Sequence, residues 1–207
     1  PTLRRQRQMC IRDRDLAARL GLDAAQVVVT AGADDAIERI CRAWLCPGRT
    51  AAVTAPGFVV TELRARMTGA DVVRLPWPGG DFPVDAAIEA APDLLVVTSP
   101  NNPTGAVVTA EQLRTLSAAL PSTLLLVDLA YTEYADADLT PAALTLPNVV
   151  VTRTLSKAWG LAALRVGYAA GPVAVIDALR TAGLPYAVSG LSVAMARRWL
   201  ALSLIHI

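Results

Sequence analysis

The stretch LLVVTSPNNPTG, residues 94–105, decides the fold. Its first five residues are apolar or β-branched with no polar alternation, the pattern of a strand covered on both faces. Two prolines then bracket two asparagines. Proline fixes φ and removes a donor, so the strand ends there and a held loop begins. The same pattern repeats in both directions. Upstream lie Val27–Thr30, Ala51–Thr54 and Asp71–Leu75, and downstream Thr123–Asp128, Val149–Arg153 and Arg165–Ala169. Between these runs, helical periods occupy Asp34–Cys46, Val59–Met67, Val84–Ala90, Ala110–Leu120, Val173–Ala182 and Ser189–Leu200. Continuous apolar strands interleaved with amphipathic helices predict an α/β fold: three layers, α-β-α, around a mostly parallel seven-stranded sheet. Pro76–Pro83 is a turn-rich loop, and no internal repeat is visible.

In open α/β sheets, ligands bind beyond the carboxyl ends of the strands. Those ends are polar or conformationally special throughout this chain. AGADD follows Thr30, APGF follows Thr54, SPNNPTG follows Thr98, LAY follows Asp128 and TRTLSK follows Val151.

Composition narrows the chemistry. At 207 residues, the chain suits one domain or one and a half. With 54% apolar and 18% charged residues it buries a large core and does not read as disordered. A formal charge of +1, with no interior basic cluster, gives no electrostatic case for nucleic acid or an anionic membrane. No apolar run reaches the ~20 residues of a membrane span. Three cysteines, Cys10, Cys41 and Cys46, lack zinc-finger spacing and fit a reduced, cytoplasmic protein. The sole histidine, His206, is next to last, which excludes histidine-based triads and most zinc sites; no metal is expected. The 19 basic residues comprise 18 arginines and one lysine, Lys157. A GC-rich genome would give the same bias. Yet arginine can meet any surface need for charge, whereas it cannot supply a nucleophilic primary amine, so the surviving lysine is a catalytic candidate.

Each motif has a plain reading beside a functional one. AGADD, Ala31–Asp35, leads from a strand into a helix, either as an ordinary helix start with Asp34 and Asp35 favouring the dipole or as a seat for phosphate on free N–H groups. In Ser99–Gly105 the rigid backbone either makes a solvated turn or presents an asparagine side chain to a ligand oxygen. Asp128 ends an apolar strand, where a carboxylate needs a partner, structural or ligand-borne; Tyr131 follows three residues later. Thr154, Ser156 and Arg165 are good phosphate ligands beside Lys157, or else a polar loop.

Taken together, SPNNPTG, DLAY and TLSKAWGLAALRVGY, in this order and at these separations, resemble fold-type I pyridoxal-phosphate enzymes. The closer resemblance is to class I/II aminotransferases of the histidinol-phosphate aminotransferase type, over roughly Asp15–Leu200. The resemblance implies pyridoxal 5'-phosphate as cofactor. Lys157 would form the internal aldimine and later shuttle protons. Asp128 would pair with the pyridine nitrogen, making the ring an electron sink. Asn102 and Tyr131 would bond the phenolic oxygen, and Phe58 would stack on the ring. Ala33, Asp34, Thr154, Ser156 and Arg165 would form the phosphate cup. Relatives usually carry glycine where this chain has Ala163. The upstream segment that supplies an aromatic to the neighbouring subunit, and the C-terminal small domain with its substrate-gripping arginine, are not recognised here.

The expected organisation is therefore a truncated cofactor-binding large domain over 15–202. The flanking segments 1–14 and 203–207 read as non-native, since CIRDR and LSLIHI resemble translated sequencing-adapter read-through. The leading expectation is a transaminase that moves an amino group between an amino acid, or an amino phosphate such as histidinol phosphate, and a 2-oxo acid. The parent enzyme would be a cytoplasmic homodimer, and this fragment would be inactive alone. The alternatives are a decarboxylase of the threonine-phosphate type on the same fold, and a non-catalytic aminotransferase-like sensor domain of a transcription regulator.

Overall fold

The computed structural model describes residue 14 and residues 16–201. The expectations for both end segments lie outside the described residues, apart from Arg14, which is helical and exposed. A helical segment, α1, covers 16–20. Seven strands follow: β1 (Val27–Thr30), β2 (Thr50–Ala55), β3 (Asp71–Pro76), β4 (Leu94–Thr98), β5 (Leu124–Asp128), β6 (Val149–Thr154) and β7 (Gly167–Ala170). The helices are α2 (Ala33–Trp44), α3 (Val59–Met67), α4 (Val84–Ala90), α5 (Ala110–Ala119), α6 (Thr140–Ala143), α7 (Val173–Ala182) and α8 (Gly190–Leu200). One sheet contains all seven strands in the order β1-β7-β6-β5-β4-β2-β3.

The apolar runs work as two interleaved sets, because successive strand residues point to opposite faces. Leu94, Val96, Leu124 and Leu126 pack with Ile37 and Ile40 of α2 and Ile176 and Leu179 of α7. Leu95, Val97, Leu125 and Val127 pack on the other face with Leu113 and Leu116 of α5 and with Trp77. The sequence shows no alternation because both faces are covered. A fully buried leucine contributes about 1.5–3 kcal/mol over an exposed one, and Leu94, Leu95, Leu125 and Leu126 are all at 0% exposure. The two-sided central strands are thus the rigid base of the fold.

Register brings three side chains into line at the carboxyl edge: Thr98 pairs with Asp128, and Asp128 with Thr152. Strand β7 runs antiparallel to both β1 and β6. Its beginning, rather than its end, therefore sits at the edge where the other strands finish. Arg165, two residues before β7, is delivered to that edge.

Two local devices fix the loops there. Val108 N–H donates to Ser99 Oγ (3.0 Å) and Asn101 N–H to the Ala106 carbonyl (2.8 Å), closing the 99–108 loop. Thr109 and Gln112 then form a reciprocal capping box that starts α5. Some elements depart from the sequence reading. Strand β7 starts at Gly167 rather than Arg165, because Ala162–Leu164 form a 3-10 turn and Arg165 takes a left-handed φ of 50°. Helix α6 and the 3-10 turns at Ala24–Gln26 and Thr132–Tyr134 are too short to leave a periodic signal.

Candidate active site

A cleft of about 530 Å³, opening to solvent, lies beyond the strand ends. It is lined by Ala33, Asp34, Phe58, Asn102, Asp128, Tyr131, Thr154, Ser156, Lys157 and Arg165, so all ten candidate residues meet in one place. Thr98 and Ala130 also line it and were not singled out from the sequence.

Asp128 forms the buried end. It is 4% exposed. Its Oδ1 accepts from Thr152 Oγ1 at 2.9 Å, and its carboxylate also accepts from the Ala130 backbone N–H. Burial pushes the carboxyl up to about 6. The two hydrogen bonds oppose that rise, Asp34 adds to it, and the charge of Lys157 opposes it. Such a carboxylate gains from a cationic group placed against it. Thr152 was not anticipated, because a threonine inside VVVTRT reads as a strand former.

Lys157 and Tyr131 face each other, with Nζ 5.3 Å from the ring centroid. Asn102 Nδ2 donates to the Tyr131 hydroxyl at 3.5 Å, joining the 99–105 loop to the segment after β5. The neighbouring Asn101 has a different task. It is buried, and its Nδ2 donates to the Pro56 carbonyl (3.0 Å) and Thr104 Oγ1 (2.9 Å), bracing the loop from below. Phe58 precedes α3 and packs against the core on one side while lining the cleft on the other.

The other end is built for an anion. Helix α2 starts from Gly32 at φ 84° with no capping side chain, so its first N–H groups have no side-chain acceptor and carry the positive end of the helix. Arg165 Nη1 donates to Ser156 Oγ (3.3 Å) and Nη2 to Asp34 Oδ2 (3.4 Å). Ser156 N–H donates to Thr154 Oγ1 at 3.1 Å. The two adjacent aspartates divide their roles. Asp34 lines the cleft, whereas Asp35 turns back to accept from Ala31 N–H and to pair with Arg39 at 2.7 Å. The arrangement can hold a phosphate at one end, a cationic ring nitrogen at Asp128, and a carbonyl carbon at Lys157 between them.

A second cavity, about 790 Å³, lies between β7 and α8. Among the described residues, its lining, mainly Leu155, Val166, Val193 and Leu200 with two arginines and Tyr168, carries no carboxylate, amine or thiol. Among the described residues, no group of three or more His, Cys, Asp or Glu is placed to hold a metal, and no helix is long and apolar enough to cross a membrane.

The family model described as aminotransferase class I and II matches residues 13–206. Histidinol-phosphate aminotransferase 2 of Pseudomonas aeruginosa is 39% identical over 191 residues, covering 88% of this chain and 52% of that protein. Histidinol-phosphate aminotransferase of Sinorhizobium meliloti, solved in complex with pyridoxal-5'-phosphate, superposes with a TM-score of 0.83 at 29% identity over 92% of this chain and 54% of that one. L-threonine-O-3-phosphate decarboxylase of Porphyromonas gingivalis also gives a TM-score of 0.83, at 25% identity over 95% of this chain and 58% of that one. The chain spans about half the length of the curated relatives it matches.

Proposed function

The chain belongs to the class I and II aminotransferases, and from that premise we propose that its cleft binds pyridoxal 5'-phosphate and serves a transaminase. The amino donor is an amino acid or an amino phosphate such as histidinol phosphate, and the acceptor is a 2-oxo acid. One observation carries the reading: the only lysine of the chain and a buried carboxylate line the same cleft as a guanidinium–hydroxyl cluster at a helix start. The donor set fits the cofactor group by group. Arg165, Ser156, Thr154 and the first N–H groups of α2 bind the phosphate. Asp128 would keep a proton on the cofactor's ring nitrogen. Asn102 and Tyr131 would bind the phenolic oxygen, and Phe58 would stack on the ring. Lys157 Nζ would anchor the cofactor at its carbonyl carbon, and its amine would serve as the base that moves a proton at the substrate α-carbon. When bound, the cofactor supplies an electron sink for the charge left on that carbon.

Fold alone does not separate transamination from decarboxylation, since neighbours of both kinds superpose equally well. The 39% identity to a histidinol-phosphate aminotransferase favours the transaminase. Residues 15–202 would be the cofactor-binding domain of a longer cytoplasmic enzyme, with little turnover by the isolated piece. A homodimer is the assembly proposed. Its support here is an apolar stripe on α3, where Val59, Leu63 and Met67, four residues apart, are 62%, 52% and 74% exposed.

The test is direct. Pyridoxal phosphate added to the protein should produce a visible absorbance band that Lys157→Ala abolishes once the terminal amine is acetylated. A band retained in that acetylated variant would overturn the assignment of Lys157.

A further inference from the structure

Resting on the cofactor reading above, we propose that Glu133 is a positioning residue, a buried clamp that fixes Lys157 relative to Tyr131. Glu133 lies two residues after Tyr131, and Trp159 lies two residues after Lys157. Glu133 Oε1 accepts from Trp159 Nε1 at 3.1 Å and from Arg153 Nη2 at 2.7 Å. Arg153 in turn stands next to Thr154 at the end of β6. One oxygen thus joins three segments, and each segment carries a cleft residue one or two positions away. The glutamate and arginine side chains are 10% and 12% exposed, so water competes little for these bonds.

The turn that carries Lys157 needs such a tie. Between β6 and the 3-10 turn at Ala162–Leu164, residues 155–161 have no regular structure. Two backbone bonds, Gly160 N–H to the Lys157 carbonyl and Leu161 N–H to the Leu155 carbonyl, close the turn on itself. Neither bond refers it to the segment after β5. The Trp159 indole does, through Glu133. Neutralising Arg153 does not by itself require the glutamate, because Arg153 Nη1 also reaches Asp138 Oδ2 (3.3 Å) and Thr140 Oγ1 (2.7 Å). Glu133 Oε2 is buried with no hydrogen-bond partner among the described residues, so both of the glutamate's bonds run through Oε1.

Three variants separate a clamp from a merely structural ion pair. Trp159→Phe deletes the indole donor and part of a ring that packs against Leu155, Val166 and Val193, a packing loss that the melting temperature reads. Glu133→Gln keeps the shape but weakens both bonds. Asp138→Asn loosens Arg153 from outside and leaves the clamp intact. The measurements are the rate at which pyridoxal phosphate develops its visible band on Lys157, the pH midpoint of that band, and the melting temperature without cofactor. Trp159→Phe and Glu133→Gln should slow the band at least about tenfold, as misplaced reacting groups do. They should also move its pH midpoint by about half a unit or more, as a changed lysine environment does. Asp138→Asn should lower the melting temperature and leave rate and midpoint unchanged. If Glu133→Gln does not fold, Trp159→Phe decides. A folded Trp159→Phe protein with the wild-type rate and midpoint would overturn the clamp, as would Asp138→Asn slowing the band as much as the other two. Wild-type protein that gives no band would instead overturn the cofactor reading on which the clamp rests.

Discussion

Replacing Asp128 with asparagine should stabilise the cofactor-free protein at neutral pH relative to its effect in acid. The carboxyl is raised from 3.8 to about 6 by burial. Between these values the native state holds a proton that the unfolded chain has released. Wild-type stability therefore falls as pH rises through this window, and the penalty is complete above about 6. Each pKa unit corresponds to about 1.4 kcal/mol, so the full cost is about 3 kcal/mol. Asparagine has no charge in either state and escapes it. It does lose one acceptor. Thr152 Oγ1 and the Ala130 N–H both donate to the carboxylate, and one of them would meet an amide NH₂, at roughly 1–3 kcal/mol. That loss is independent of pH.

Comparing two pH values removes it. Urea denaturation followed by tryptophan fluorescence, on wild type and Asp128→Asn, gives the stability difference at pH 4.5 and at pH 7.5. The variant's standing relative to wild type should improve by about 2 kcal/mol between them. Other titrating groups are common to both proteins and cancel to first order. Saturating pyridoxal phosphate should reverse the trend, because the wild-type carboxylate then has a cationic partner and the asparagine does not. A difference equal at both pH values, or larger in acid, would refute burial as the cause of the raised carboxyl.

Two further outcomes follow from the anion-binding end of the cleft. Arg165→Gln should weaken pyridoxal phosphate binding tenfold or more, about 1.4 kcal/mol, while binding of pyridoxal without its phosphate stays unchanged; titration calorimetry with both compounds checks this. Gly32→Ala should destabilise the protein by about 1–2 kcal/mol, since φ is 84° and a methyl group would stand 2.8 Å from Arg165 Nη2. The same change should lower phosphate affinity by displacing that guanidinium, and denaturation together with phosphate titration reads both effects.

The sheet and the cleft were legible in the sequence for one physical reason. In a two-sided parallel sheet the strand interiors carry only packing, so polar residues with ligand chemistry collect just past the strand ends. The strand beginning at Leu94 and the loop through Gly105 are the clearest case, and the ten candidate residues meet as that logic requires. What stayed hidden depends on contacts that no spacing encodes. Thr152 reaches Asp128 from the neighbouring strand across 24 residues, and Glu133 reaches Arg153 across 20 and Trp159 across 26. In the sequence, Arg153 only ends a strand run and Glu133 belongs to no motif. Only when β5 and β6 lie side by side does one become the buried acceptor and the other its donor. Asp34 and Asp35 differ by one position on α2 yet take different partners, Arg165 just before β7 and Arg39 one turn along the same helix. The residues that would touch a ligand sit where the backbone grammar ends, and a sequence can reveal them. The residues that hold those in place are chosen by neighbouring strands, and for them the fold itself had to be known.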